Sequence, residues 1–201
     1  EINLAGWRLV NENRKINIIF NNDHIVPLAG YFLLERTDDD SAPNKEADLI
    51  YSGALSNINE AIYLFNDKCE LKDVVKAQSV WPAGDSATRR TMERNLNDFA
   101  WHTFGGNEAE IMGTPKEFNS NTSWIKVIEN SESGGSSGGS SSNSGSANNN
   151  QNTGTAEIVF CSQTNLGQSI QSPIVINEVA WMGNSLSSSD EWIELKNTSS
   201  E

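Results

Sequence analysis

The groups that could do chemistry in this chain are few and scattered. His24 and His102 are its only histidines, and Gly84-Asp85-Ser86-Ala87 superficially offers the serine setting of several hydrolases. A nucleophilic serine needs a positioned base, neither histidine lies in a recognisable triad context, and a G-x-S-x-G elbow is absent. Asp38-Asp39-Asp40 could hold a hard cation, which wants six to eight oxygens, but the run lacks the spaced D-x-D-x-D-G pattern and reads as a solvated turn. Glu178, Asp190, Glu191 and Glu194 form a second acidic group. Alternation along Ile174–Trp181 puts Glu178 on the face of Ile176 and Ala180, where a carboxylate needs a partner such as Arg36, Arg90 or Arg94. An ion pair or backbone hydrogen bonds account for it better than general acid–base work. A hydrolase acting through a cation would need a concave site holding at least three of Asp38, Asp40, Asp85, Glu178 and Asp190. No residue pattern calls for a cofactor.

Two further residue types carry information. Cys69 and Cys161 have no CxxC or Cys/His spacing, so they make neither a metal site nor a disulfide framework; they could pair with each other, and spacing does not decide it. Six tryptophans are many for 201 residues: Trp7, Trp81, Trp101, Trp124, Trp181 and Trp192. In a small sandwich most serve packing, Trp7 and Trp81 among them. Trp181 and Trp192 are the expected partner contacts, because alternation sets each opposite a more aliphatic face.

The elements that must position these groups are short strands. Trp7–Val10, Ile16–Phe20, Gly30–Glu35, Ala47–Tyr51 and Glu60–Phe65 are rich in β-branched, aromatic and leucine residues and are bounded by Asn/Asp/Gly/Pro/Ser clusters. Asn66-Asp67-Lys68 followed by Leu71–Lys76 predicts a hairpin return with Leu71 and Val75 inward. Ser86–Asn97 has helix formers without an apolar period and reads as a turn or irregular excursion. Near the end, Pro173–Trp181 and Glu191–Lys196 are two more strands, with Ile193 and Leu195 on one face and Trp192, Glu194 and Lys196 on the other. A lone pair of strands is at best marginally stable and must join a sheet. Many short strands without alternating helices predict an antiparallel β-sandwich or barrel.

Between these parts lies a stretch of another kind. From Ser131 to Thr155, 20 of 25 residues are Ser, Gly or Asn, which cannot repay the entropy of ordering. Residues 128–172 are therefore expected to be a flexible linker, leaving a body over 1–127 and a closing segment over 173–201. Such a connection spans roughly 37 Å, enough for the closing strands to return to the body. The formal net charge of −13 is shared by both parts, which opposes nucleic-acid binding through displaced phosphate counterions. No apolar run is long enough to cross a bilayer.

Several segments resemble the bacterial form of the lamin-tail domain, an immunoglobulin-like β-sandwich. They are Val175-Ile176-Asn177-Glu178-Val179-Ala180-Trp181-Met182-Gly183, Asp190-Glu191-Trp192-Ile193-Glu194-Leu195-Lys196-Asn197, Leu4–Val10, Ala29–Arg36 and Trp81–Asp85. Arg90–Arg94 and Gly113-Thr114-Pro115 with Asn119 look like the family's closing segments. The resemblance implies an immunoglobulin-like antiparallel sandwich, with structural roles for Gly84, Asp85, Arg90 and Arg94. It places Trp81–Asp85 in a structural turn, Gly84 supplying an unusual φ and Asp85 bonding nearby backbone. In the family the Asn-Glu and Trp-Ile-Glu-Leu strands come first; here they come last, as in a slice of a tandem array. Residues 173–197 are accordingly expected to pair into the sandwich of residues 2–119, as a circular permutant. The function implied is a non-catalytic binding or spacer module at a bacterial surface or outside the cell. Its partners would be neighbouring lamin-tail-like domains and an unknown protein or glycan. The alternatives are an accessory part of a metal-dependent hydrolase or nuclease, and a chromatin contact like that of eukaryotic relatives.

Overall fold

In a computed structural model, residues 1–106, 111–120, 161 and 172–199 are described. The expected linker over 128–172 lies outside them except for Cys161 and Ser172, and so does Trp124. The described residues contain twelve strands and no helix: β1 (Ile2–Asn3), β2 (Arg8–Asn11), β3 (Asn17–Ile19), β4 (Ile25–Val26), β5 (Tyr31–Arg36), β6 (Leu49–Tyr51), β7 (Glu60–Phe65), β8 (Leu71–Ala77), β9 (Met92–Arg94), β10 (Trp101–Thr103), β11 (Ile174–Ala180) and β12 (Trp192–Asn197). They form a six-stranded sheet in the order β10-β9-β11-β12-β5-β6, a four-stranded sheet β3-β2-β7-β8, and the small pair β1-β4. The two larger sheets pack as sandwich-like layers. Leu9, Ile62, Leu64 and Val75 meet Phe32, Leu34, Met92, Ile174, Ile176, Val179, Ile193 and Leu195 in one buried cluster.

β11 and β12 occupy the middle of the larger sheet. β11 pairs antiparallel with β9 through Glu178↔Glu93 and Val179↔Met92, and β12 pairs antiparallel with β5 from Trp192↔Glu35 to Lys196↔Tyr31. Both strands are buried along their whole length, on both faces.

The structure departs from the pattern reading at four places, each for a physical reason. The β5–β6 pair is parallel, so the sheet is not purely antiparallel. A parallel neighbour needs a crossover of about a dozen residues, and residues 37–48 supply it across the outer face. Met92–Arg94 and Trp101–Thr103 are strands; three residues are too few to show a period, and pairing decides them, Met92–Arg94 with β11 and Trp101–Thr103 with Met92–Arg94. Leu71 does not face the core with Val75. A register shift between Leu64 and Phe65 turns it to the outer side, against the buried Ala61, Tyr63 and Phe65. A second shift between Ile176 and Glu178 puts Glu178 on the outer face, opposite Ile176.

Trp181 and Trp192, the expected partner contacts, are 8% and 1% exposed. Trp181 stacks on Trp81 with ring centroids 6.1 Å apart, and its Nε1 donates to the Ala83 carbonyl at 3.3 Å. Trp192 does lie on the outer face, but that face is roofed: Leu33, Ala42, Ala180 and Ile111 surround it. Alternation names a face and not what covers it. Cys69, in the β7–β8 turn, and Cys161 form a disulfide across a sequence separation of 92.

Candidate functional site

The largest gathering of titratable groups lies on that roofed outer face. The register His102↔Glu93, Glu93↔Glu178 and Glu178↔Glu194 sets one histidine and three glutamates side by side across β10, β9, β11 and β12. Directly opposed residues sit with Cβ atoms about 5 Å apart, and like charges so placed repel. All three glutamates are 0% exposed.

The irregularity in β11 builds the row. Regular alternation would have left Glu178 on the face of Ile176; the bulge at Asn177 turns both Asn177 and Glu178 outward. Beside the bulge, the Ile176 N–H donates to Asp73 Oδ2 of β8 at 2.7 Å. Arg94 Nη2 lies 2.9 Å from the same oxygen, while its guanidinium sits 4.3 Å over the Trp101 ring.

Residues 111–120 cover the row and supply most of its donors. The Thr114 N–H donates to Glu178 at 3.0 Å, the Lys116 N–H donates to Glu194 Oε2, and the Ser120 N–H donates to Glu93 Oε2 at 3.1 Å. The Thr91 hydroxyl donates to Glu178 Oε1, and Asn177 Nδ2 donates to Glu194 Oε1 at 2.7 Å. Asn119 joins the cover to the bulge, donating from Nδ2 to the Arg94 carbonyl at 2.9 Å and accepting at Oδ1 from Asn177 Nδ2 at 2.9 Å. Gly113 makes the close approach possible: a Cβ there would stand 2.5 Å from Glu178 Oε1.

Proton bookkeeping asks for a proton on either Glu93 or Glu178. Thr114 Oγ1 is 2.6 Å from Glu93 Oε1 and 3.0 Å from Glu178 Oε2, yet a hydroxyl has one hydrogen to give. Donating it to Glu93, the hydroxyl accepts from a protonated Glu178. Burial first, then the charges of Glu93 and Glu194, hold the Glu178 carboxyl well above the ordinary range, which is the same assignment. Burial pushes Glu194 up to about 8, against the opposing bonds from Lys116 and Asn177. On the same face burial raises Glu35 to about 7. Unequal carboxyls beside a histidine are the ingredients of acid–base catalysis. Here the three glutamates are buried in bonds to the roof and His102 turns its Nε2 to Glu93 at 3.0 Å, so the arrangement clamps residues 111–120 to the sheet.

The remaining expected residues are elsewhere. Asp38, Asp39 and Asp40 are exposed in the crossover, where Asp39 Oδ1 accepts the Ala47 N–H at 2.7 Å. Among the described residues no three Asp, Glu, His or Cys side chains are grouped to hold a metal ion, so Asp38, Asp40, Asp85, Glu178 and Asp190 do not assemble a site. None of Arg36, Arg90 and Arg94 makes an ion pair with Glu178. Arg36 pairs with Glu191 at 3.3 Å, Arg90 donates to the carbonyls of Phe104 and Gly106, and Arg94 takes Asp73. Asp85 accepts from the Ala87 N–H and the Thr88 hydroxyl, and Gly84, at φ +89°, lies where a Cβ would stand 2.7 Å from Trp181 Nε1. Trp7 and Trp81 are core residues. Thr91, Glu93, Thr114, Asn119, Ser120 and Asn177 carry no chemical signal in the sequence, because each acts only through a neighbour that the register brings to it. Compared with known proteins, the chain matches no family model, no curated protein and no solved structure.

Proposed function

We propose that this chain is a non-catalytic binding or spacer module: a stiff β-sandwich that presents its end loops to a protein or glycan. The observation that carries this reading is the complete burial of Glu93, Glu178 and Glu194, which spends the best acid–base set of the described residues on holding the fold together. The resemblance to lamin-tail domains supports an immunoglobulin-like sandwich whose first two strands stand last, a permuted slice of a tandem array. The Cys69–Cys161 disulfide supports a location outside the cytosol, where such bonds persist.

With Trp181 and Trp192 inside, the contact surface falls to the loops. Ile58 and Val80, flanking the Glu60↔Ala77 pairing, are 55% and 67% exposed, and Leu186 in the β11–β12 turn is 79% exposed. The test is a binding screen against glycans, cell-wall fragments and surface proteins, repeated with Ile58→Ser, Val80→Ser and Leu186→Ser combined. Binding lost at an unchanged melting temperature supports the reading. Turnover of a polysaccharide, peptide or nucleic acid with added Ca²⁺ or Mg²⁺, abolished by Glu178→Gln or Glu93→Gln, would overturn it.

A further inference from the structure

The β11–β12 hairpin is held in its sheet on both sides by non-covalent pairing alone. Its borders are the ladders to β9 and β5, and further bonds tie its own backbone and side chains to the body. Asp73 takes the Ile176 N–H, Asn119 takes Asn177, and Glu191 Oε2 accepts the Leu55 N–H at 2.9 Å. Asn197 Nδ2 donates to the Val26 carbonyl, and Asn184 Nδ2 donates to the Ser41 carbonyl. Ile174, Ile176, Val179, Ile193 and Leu195 fill the core between the layers. The cleft between β9 and β5 is thus a receptor for one particular hairpin, with apolar seats on one side and paired sockets for Asn177, Glu178 and Glu194 on the other. Another copy of the same hairpin meets every one of these demands.

Covalent connection decides whose hairpin enters. Along the backbone, Ser120 and Ser172 are more than fifty residues apart, most of them Ser, Gly or Asn. The disulfide shortens this path, because Cys161 is bonded to Cys69 of the body and stands eleven residues before Ser172. Effective concentration falls as roughly the −3/2 power of tether length, so the bond raises the chain's preference for its own hairpin about tenfold.

We propose that the β9/β5 cleft accepts the β11–β12 hairpin of a second copy of this chain, and that the Cys69–Cys161 disulfide is the lock that keeps each hairpin at home. A dithiol opens the lock. It supplies two electrons and two protons and closes to its cyclic disulfide as the two cysteines become thiols. The product is a closed, two-fold dimer with exchanged hairpins.

The full chain is unfolded in urea and refolded, with and without a dithiol, at on the order of 100 μM, below the roughly millimolar effective concentration that linkage within one chain supplies. The dimer fraction is read by size-exclusion chromatography with light scattering. It should be about tenfold larger under dithiol, with Cys69→Ser/Cys161→Ser reproducing the rise without reductant. A protease site placed within residues 131–155 then reports the mechanism. Cutting it should convert exchanged dimers to single-domain particles, and native mass spectrometry of half-labelled samples should find bodies carrying the other copy's hairpin. Equal dimer fractions in both conditions, or a dimer that survives the cut intact, overturn the proposal. If neither the double variant nor the reduced chain refolds, the native oxidised chain is cut, reduced and offered a labelled 172–199 peptide. Uptake of label supports exchange, and its absence overturns it.

Discussion

The two faces of the β11–β12 hairpin are equally buried and differently built. The core-facing side is Ile174, Ile176, Val179, Ile193 and Leu195, apolar groups that meet the opposite sheet. The outer side carries Asn177, Glu178 and Glu194, wholly covered by residues 111–120 and held by paired donors. Burial of the first kind stabilises in proportion to area and tolerates many partners. Burial of the second kind gains little net stability, since desolvation offsets most of each bond, but any misplacement strands a polar group. The inner face therefore drives the hairpin into the sheet, and the outer face fixes its register there.

Substitutions can break this contrast. Ile176→Ala should have the largest effect, about 2–5 kcal/mol in urea unfolding, because it leaves a cavity in the core. Glu178→Ala should cost about 3 kcal/mol by stranding the Thr91 hydroxyl and the Thr114 N–H. Glu178→Gln, a shape match for the protonated acid, should cost no more than about 1 kcal/mol. A Gln variant as damaging as the Ala variant would show that Glu178 is ionised in the fold. Gly113→Ala should cost about 1–3 kcal/mol through the clash with Glu178 and Thr91, and it should speed amide exchange in 111–120 before it affects the core.

The pH response sharpens the same contrast with a smaller effect. Glu194 holds its proton to about pH 8 when folded, against an ordinary value of 4.5, so the folded state binds more protons over that interval. Stability from this group is complete below about pH 4.5, falls as pH rises, and is lost once pH passes 8. Glu178 acts in the same direction, as do Glu35 and Glu191, whose carboxyls are raised to about 7. The urea midpoint should therefore decline between pH 5 and 8. Glu194→Gln should flatten the decline, whereas Ile176→Ala should lower the whole curve without changing its slope.

The legible part of the fold was its alternation. β2, β5, β7, β8, β11 and β12 all lie where runs of β-branched, aromatic and leucine residues stand between turn clusters. Illegible were the strands too short to show a period, Met92–Arg94, which pairs with β11, and Trp101–Thr103, which pairs with Met92–Arg94. Also illegible were the two register shifts, which moved Leu71 and Glu178 to faces that strict alternation denies them. Of the buried row, only Glu178 and Glu194 stand out in the sequence as acids within strands. Glu93 and the donors of the roof are unremarkable in sequence.

The chain's order of apolar and polar residues determined an all-β, two-layered protein, because a period of two gives each strand one face to bury. Its acidity set the charge that any partner must meet. Tertiary structure alone decided that the second face of β11–β12 is buried as well, that three glutamates share one row, and that Trp181 and Trp192 are inside. Those outcomes depend on bulges, register and the crossing of distant segments, whose energies belong to pairs of residues and are written in no single one of them.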